Sequence, residues 1–283
     1  MKISAAIELA SEKFEKAGIE SFLADAEILL AFVLDLSRGE LQVKAITGES
    51  LSDSQENTFL ELIEKRAERF PLQHLTGVAY FRQLELKVGP GVFVPRFETE
   101  TVTQLAVDAL RAVPTPSPVA VDLATGSGAI ALSLATEIPN AKVYAIELSE
   151  AALQYTRANF ARYAPEATLV QGDLADAFPQ LDGLVDVLVS NPPYIPDEMI
   201  PIYPEVHLHD PALALYGGAD GLDLVRKVAA SAKRLLRLGG TLIIEHADMQ
   251  GEAVRELILG LGWRNCVTHK DLAGRDRATT AIR

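Results

Sequence analysis

The stretch VDVLVSNPPYIPDE places an amide and a phenol on either side of two prolines, at the end of an apolar run. Neither proline has an N–H to continue a strand ladder, so a buried strand running through Val189 stops there. Asn191 and Tyr194 are left on a stiff turn. The side-chain carbonyl of Asn191 accepts one hydrogen bond, and the main-chain carbonyl of Pro192, on ring-locked backbone, accepts a second. Tyr194 adds a flat face. Two acceptors beside a flat face suit a planar nitrogen that carries N–H groups. Its lone pair is delocalised, so it attacks only when held and aimed. An already activated methyl group can then be transferred by positioning and dipoles, with no strong general base.

A second group of residues suits a cofactor. VAVDLATGSGAIALSLA reads as a strand, a turn of small residues and a helix, and Gly126 and Gly128 let backbone approach a ligand where a Cβ would block it. The N–H groups opening the helix face the same space. Gly126-Ser127-Gly128-Ala129-Ile130-Ala131 fits the dinucleotide fingerprint, and Glu147, ending the next strand, stands where an acid accepts from vicinal ribose hydroxyls. The pair implies a nucleoside-containing cofactor and does not choose between a nicotinamide dinucleotide and S-adenosylmethionine. Asp173, in VQGDLADAF, ends a third strand, where its carboxylate suits an adenine amine and Leu174 suits the ring. Three such positions on neighbouring strand tips describe one crevice, and the fourth strand delivers Asn191 to it. A dehydrogenase needs nothing special at that fourth tip.

These tips need a parallel sheet to bring them together. From about residue 98 the chain alternates strands (VAVDLA, AKVYAIE, ATLVQGD, VDVLVSN, GTLIIEH) with helical segments (TETVTQLAVDALRAV, GAIALSLATEI, SEAALQYTRANFARYA, GLDLVRKVAASAKRLL, GEAVRELILGL). That alternation predicts an α/β fold with a parallel sheet covered on both faces and a crevice at the strands' carboxyl ends. Before it, YFRQLELKVGPGVFVPRFETE alternates Leu84, Leu86 and Val88, turns at Gly89-Pro90-Gly91 and resumes at Val92, which predicts a hairpin linker over 76–97. Residues 1–75 read as a small helical domain with three helices. Ile3, Ile7, Ala10 and Phe14 line the first; Leu23, Ala26, Leu30 and Val33 line the second behind Ser21; Ser52 with Gln55 forms a capping box on the third. It serves either packing or the docking of a partner.

The 283 residues carry a net charge of −13, and a basic face for gripping phosphates is not visible in the sequence. The first 70 residues contribute −6 and the rest −7, so the acidity is spread throughout. Direct nucleic-acid binding is therefore not expected. The apolar runs are too short to span a membrane, the amino terminus lacks a secretory pattern, and a single cysteine, Cys266, excludes an internal disulfide. A cytoplasmic location follows as the expectation. His207, His209 and Asp210 lack the further well-spaced ligands a metal needs, and no metal is expected. Trp263 and Cys266 read as packing residues, and Lys233, Arg234 and Arg237 as complements to a helix carboxyl end.

DLATGSGAIALSLA together with VSNPPYI resembles the class I S-adenosylmethionine-dependent methyltransferases of the N-P-P-Y type. PLQHLTGVAYF, VFVPRFETE, DPALALYGGADGL and DLAGRDRAT narrow the resemblance to the bacterial protein-(glutamine-N5) methyltransferases, the HemK/PrmC group, over nearly the whole chain. It implies a Rossmann-like catalytic domain over 98–283 and a substrate-docking role for the helical domain. It also implies methylation of the glutamine of the Gly-Gly-Gln motif in class I peptide chain release factors, with S-adenosylhomocysteine as the other product. By the same resemblance, Ala124, Thr125, Gly126, Ser127 and Gly128 contact the cofactor's methionine part, Glu147 its ribose, and Asp173 with Leu174 its adenine. Asn191, Pro192, Pro193 and Tyr194 hold the glutamine amide beside the cofactor, and Phe97 is a further cofactor contact. The family usually has glycine at Ala124, aspartate at Glu147, proline at Phe97 and glutamate at Asp210. Read from the motif alone, N-methylation of an adenine or guanine amine in RNA or DNA is the alternative. A nicotinamide oxidoreductase leaves the prolines unexplained, and a non-catalytic cofactor-binding protein would use the helices only for docking.

Overall fold

The computed structural model describes residues 1–283, and the chain divides into two compact units. The first comprises Met1–Val78 and Pro201–His209. It is built from α1 (Ile3–Lys16), α2 (Phe22–Leu34), α3 (Arg38–Thr47), α4 (Asp53–Ala67) and α5 (Leu72–Thr76). Phe14, Leu29, Leu30, Leu41, Phe59 and Ile63 are buried together at its centre. The Ser52–Gln55 capping box closes both ways at the start of α4, as its spacing predicts. Ser21 precedes α2 without capping it, donating instead to Asp25 over 2.8 Å.

Two differences from the sequence reading have local causes. Helix α3 was not expected, because only Leu41 of its ten residues is buried and no apolar stripe marks it. Its start carries a second capping box, Ser37 with Glu40. On α2, Leu23 is exposed and Leu29 takes a core position, because this helix is apolar on nearly every side and its buried face is not legible from spacing.

Arg66 and Asp25 form a buried ion pair in this unit, Nε to Oδ2 at 2.8 Å, and the guanidinium also donates to the Phe70 carbonyl. Glu205 accepts from Arg66 at 2.9 Å and from Arg69 at 2.7 Å. His209 lies on Phe70 with 4.0 Å between ring centroids. Residues 201–209 therefore belong to the helical unit, although the chain reaches them only after the NPPY stretch.

The second unit, Ala79–Ile200 and Asp210–Arg283, is a sheet with helices on both faces. In chain order its elements are β1 (Val78–Phe81), β2 (Leu84–Lys87), α6 (Phe97–Arg111), β3 (Val119–Leu123), α7 (Ala129–Glu137), β4 (Lys142–Glu147), α8 (Glu150–Tyr163), β5 (Thr168–Gln171) and β6 (Val185–Ser190). After α9 (Pro204–His209) come α10 (Asp223–Leu235), β7 (Leu236–Glu245), α11 (Gly251–Gly260), β8 (Arg264–Lys270) and β9 (Asp276–Ile282). The strand order is β5-β4-β3-β6-β7-β9-β8; the first five are mutually parallel, and β9 runs antiparallel to both neighbours. Along β6 and β7, Val187, Val189 and Ile243 enter the core under α6 and α7, while Leu188, Leu242 and Ile244 enter the core under α10 and α11. Each fully buried aliphatic side chain of this kind is worth about 1.5–3 kcal/mol.

The hairpin is displaced from its predicted place. β1 pairs with β2 and turns at Arg82-Gln83, not at Gly89-Pro90-Gly91. Arg82 takes φ +50°, held by its N–H on Glu100 and its guanidinium on Glu137, so long-range partners replace the usual turn residues. Phe81, Leu84 and Leu86 pack into the core under α6 and α7.

Replacing Arg66 with alanine strands the Asp25 carboxylate in the interior, which costs about 3–5 kcal/mol for a broken buried pair. Glu205→Gln, at a less buried position, should cost less. Chemical denaturation followed by far-ultraviolet circular dichroism checks both; equal and small losses would mean that the cluster is not a structural tie.

Candidate active site

Parallel pairing brings five strand ends to one edge. Leu123 pairs with Ile146 and with Ser190, Glu147 with Gln171, and Ser190 with Ile244. Residues just past Leu123, Glu147, Gln171 and Ser190 thus emerge side by side, and strand order reverses at β3 and β6, the position where open α/β sheets bind ligands.

The turn after β3 is held from several directions. Ala124, Gly126 and Gly128 all take positive φ, +61°, +57° and +89°. Asp122 is fully buried; its Oδ2 accepts from the Thr125 hydroxyl at 2.6 Å and from the Ala131 N–H at 3.2 Å. Burial pushes this carboxyl up to about 7, against the pull of those two donors. Asn159 donates to the Ser127 carbonyl at 2.9 Å and Thr156 donates to the Gly126 carbonyl at 2.5 Å, so α8 clasps the loop from its far side.

Glu147 ties β4 to the same turn. Its Oε2 accepts the Gly126 N–H and its Oε1 the Ser149 N–H, both at 2.8 Å, and burial raises its pKa. The carboxylate has about four lone-pair sites, more than the backbone N–H groups of Gly126, Leu148 and Ser149 occupy, so acceptor capacity is left over. The glycines divide the work. A Cβ on Gly126 would meet nothing within 4 Å, leaving open space above the backbone, whereas one on Gly128 would come within 2.9 Å of Phe160. The open side at Gly126 and the spare acceptors of Glu147 fit a nucleoside-bearing cofactor.

The remaining predicted residues fall at separate points along this edge. Asp173 accepts from the Ala175 N–H at 2.9 Å, two residues past the end of β5, and Leu174 is buried with Phe178 and Ile146. Phe97 opens α6 with its ring 80% exposed and no packing partner in the cores, whereas Thr99, one position from Glu98, faces Asn191. Asp210 is buried against Arg96 at 2.6 Å, and burial pushes it up to about 6 in spite of that cation.

Asn191 is half-buried, and its Nδ2 donates to Thr99 Oγ1 at 3.4 Å. The Pro192 carbonyl has no partner within the chain. Tyr194 is fixed through its backbone: its carbonyl accepts from Gln250 Nε2 at 2.8 Å, and burial together with nearby Glu245 pushes its phenol upward. A glycine-rich segment supports the motif from behind. A Cβ on Gly217 would lie 2.6 Å from the Pro193 carbonyl, and one on Gly221 would overlap the Tyr194 carbonyl. The stretch LYGGADGL is therefore small because the NPPY backbone lies against it.

Sequence reading did not single out Thr99, Asp122, Thr156, Asn159 or Glu245. A usable signal exists for two of them. LIIE ends on an acid as YAIE does at Glu147, and VAVDL carries an acid inside an apolar strand.

Residues 5–77 match the family model described as the PrmC N-terminal domain, and residues 83–200 match the methyltransferase small domain. The chain is 49% identical over 275 residues to a release factor glutamine methyltransferase of Streptomyces coelicolor, covering 96% of this chain and 95% of that one. It is 41% identical to the protein of the same name from Bifidobacterium longum, over the full length of both. Among solved structures, a methyltransferase from Pyrococcus furiosus aligns with TM-score 0.50 and 21% identity over 70% of this chain and 88% of that one, a likeness of fold.

Ala124 sits in the left-handed region, where a side chain costs about 1–2 kcal/mol, so Ala124→Gly should raise stability by about 0.5–1 kcal/mol after the entropy of glycine in the unfolded chain. The shift in denaturant midpoint checks this. Gly221→Ala should instead lower stability, because the Tyr194 carbonyl occupies the space its methyl needs.

Proposed function

We infer that this chain, which belongs to the release factor glutamine methyltransferases, transfers a methyl group from S-adenosylmethionine to the side-chain amide nitrogen, N5, of a glutamine in a class I peptide chain release factor. The observation that carries the reading is the pair of available acceptors at the end of β6. Asn191 Nδ2 is engaged by Thr99, and the Pro192 carbonyl is unpartnered. The Asn191 Oδ1 and the Pro192 carbonyl then accept the two N–H groups of a glutamine amide, and Tyr194 lies along its plane. With both N–H groups held, the nitrogen lone pair points out of the amide plane toward the strand-end crevice.

S-adenosylmethionine, when bound, supplies a sulfonium methyl that needs no further activation. Gly126 leaves room for it, Glu147 offers its remaining acceptor capacity to the ribose, and Asp173 with Leu174 supports the adenine end. With the cofactor bound, its methyl would pass from sulfur to the amide nitrogen; the Asn191 Oδ1 and Pro192 carbonyl would stabilise the positive charge on that nitrogen until its displaced proton passed to water. The products are an N5-methylglutamine and S-adenosylhomocysteine.

The match of residues 5–77 to the PrmC N-terminal domain supports substrate docking by the helical unit. A net charge of −13 argues against a phosphate-gripping surface, and no helix is long and apolar enough to cross a membrane. Modification of a translation factor is in keeping with a cytoplasmic protein.

With radiolabelled S-adenosylmethionine, label should enter recombinant release factor at one glutamine and stay out of total RNA. Label in RNA alone would replace this reading with base methylation. Asn191→Ala should lower transfer by about 100-fold or more, the scale of losing a transition-state dipole, while S-adenosylhomocysteine still binds. Near-normal turnover in that variant would remove Asn191 from the reaction.

A further inference from the structure

Behind Asn191 a chain of hydrogen bonds ends on a buried acid. Asn191 Nδ2 donates to Thr99 Oγ1, and Thr99 Oγ1 donates to Glu245 Oε1 over 3.2 Å. The three residues come from the end of β6, the first turn of α6 and the last position of β7. Thr99 is 4% exposed and Glu245 1%. The Thr103 hydroxyl donates to the Thr99 carbonyl at 2.9 Å, so the turn that carries Thr99 is itself braced.

The direction of this chain follows from its terminus. While Glu245 is ionised its carboxylate only accepts, so the single proton of Thr99 is then committed to Glu245. The lone pairs left on Thr99 Oγ1 can only accept in their turn. The Asn191 atom beside them must be the NH2, because the reverse rotamer would set two acceptors against each other. Oδ1 is thereby turned away from Thr99, toward the side from which a substrate amide would come.

In the interior the Glu245 carboxyl meets Thr99, Tyr194 and the Arg277 guanidinium. Glu245 Oε2 is buried without a hydrogen-bond partner, and an unpaired buried oxygen on a charged group destabilises the fold. Arg277 on β9 faces it but is bonded to Asp271. Tyr194 lies against the same carboxyl.

We propose that Glu245, acting through Thr99, is a positioning residue that fixes the amide orientation of Asn191 and so presents the acceptor that holds the substrate nitrogen. The proposal rests on the reading of Asn191 given above. The groups that face Glu245 are Glu98 and Thr99 on α6, Tyr194 after β6 and Arg277 on β9, with buried His246 next in sequence. Burial pushes the Glu245 carboxyl up to about 7. Below that pH it gains a proton and can donate to Thr99, which frees the Thr99 proton to point at Asn191 and reverses the chain. The rate should therefore fall as pH drops through about 7, and that limb should be flattened in Glu245→Gln.

The test uses the full chain, release factor and S-adenosylmethionine. Thr99→Val should lower kcat about tenfold or more, the scale of misaligning a reacting group, with KM for cofactor and the calorimetric affinity for S-adenosylhomocysteine unchanged. Thr99→Ser should restore most of the rate. In amide NMR, the side-chain NH2 of Asn191 should exchange faster in Thr99→Val than in the parent, a readout that holds whatever the substrate. Unchanged kcat in Thr99→Val, failure of serine to rescue, or equal NH2 exchange would overturn the proposal. A parent enzyme that leaves release factor unlabelled would instead overturn the substrate reading, while side-chain NH2 exchange of Asn191 compared in the parent, Thr99→Val and Glu245→Gln still decides whether this chain of residues orients Asn191.

Discussion

Where parallel strands end, their last N–H groups and the turns beyond them lose the ladder that satisfied them. This protein meets that constraint with carboxylates at the edge of the sheet. Glu147 accepts from Gly126 and Ser149, and Asp122 accepts from Thr125 and Ala131. Burial disfavours the charge on both, so their hydrogen bonds must repay desolvation within the site. The geometry of the glycine turn depends on them: without Glu147 the Gly126 N–H would have no acceptor, and the open space above that residue would have no defined floor.

The turn also explains why glycine is used unevenly. At Gly128 the backbone is left-handed and a Cβ would press on Phe160, so two independent reasons exclude a side chain. At Gly126 only the conformation and the open ligand side matter. Ala124 shares the left-handed conformation, yet it is partly packed against the core under α10 and α11, which offsets some of that strain. Asp210 shows the opposite balance. Its carboxylate reaches Arg96 with one oxygen and leaves Oδ1 buried without a partner.

What was legible in the sequence was local. The NPPY stop, the glycine turn and the acid closing YAIE each carry their signal within a few residues, and the α/β alternation follows from their spacing. Residues whose roles depend on distant partners were not legible. Thr99 and Glu245 meet across 146 positions, and Glu205 reaches Arg66 and Arg69 across 139 and 136. Helix α3 and the Arg82-Gln83 turn were missed for a related reason. The first buries one residue, and the second is stabilised by Glu100 and Glu137 instead of by turn-forming residues.

The two prolines alone do not account for the rigidity of the motif. A fixed φ limits where the chain can go but does not hold a carbonyl in place. The supporting contacts come from elsewhere: Gln250 holds the Tyr194 carbonyl, and Gly217 and Gly221 let their segment lie against Pro193 and Tyr194. Downstream, Ile195 pairs with Tyr216 in a single parallel bridge. Within the helical unit, Glu205 is gripped by two arginines, one of them already paired with Asp25. The segment leaving the motif is thus anchored at both ends, by the sheet unit through residue 197 and by the helical unit from residue 201. Only three residues, Glu198, Met199 and Ile200, lie between these anchors. The path of the chain out of the motif is therefore set on each side by contacts within a single unit, Asp197 on the Gly218 carbonyl before it and Glu205 on Arg66 and Arg69 after it.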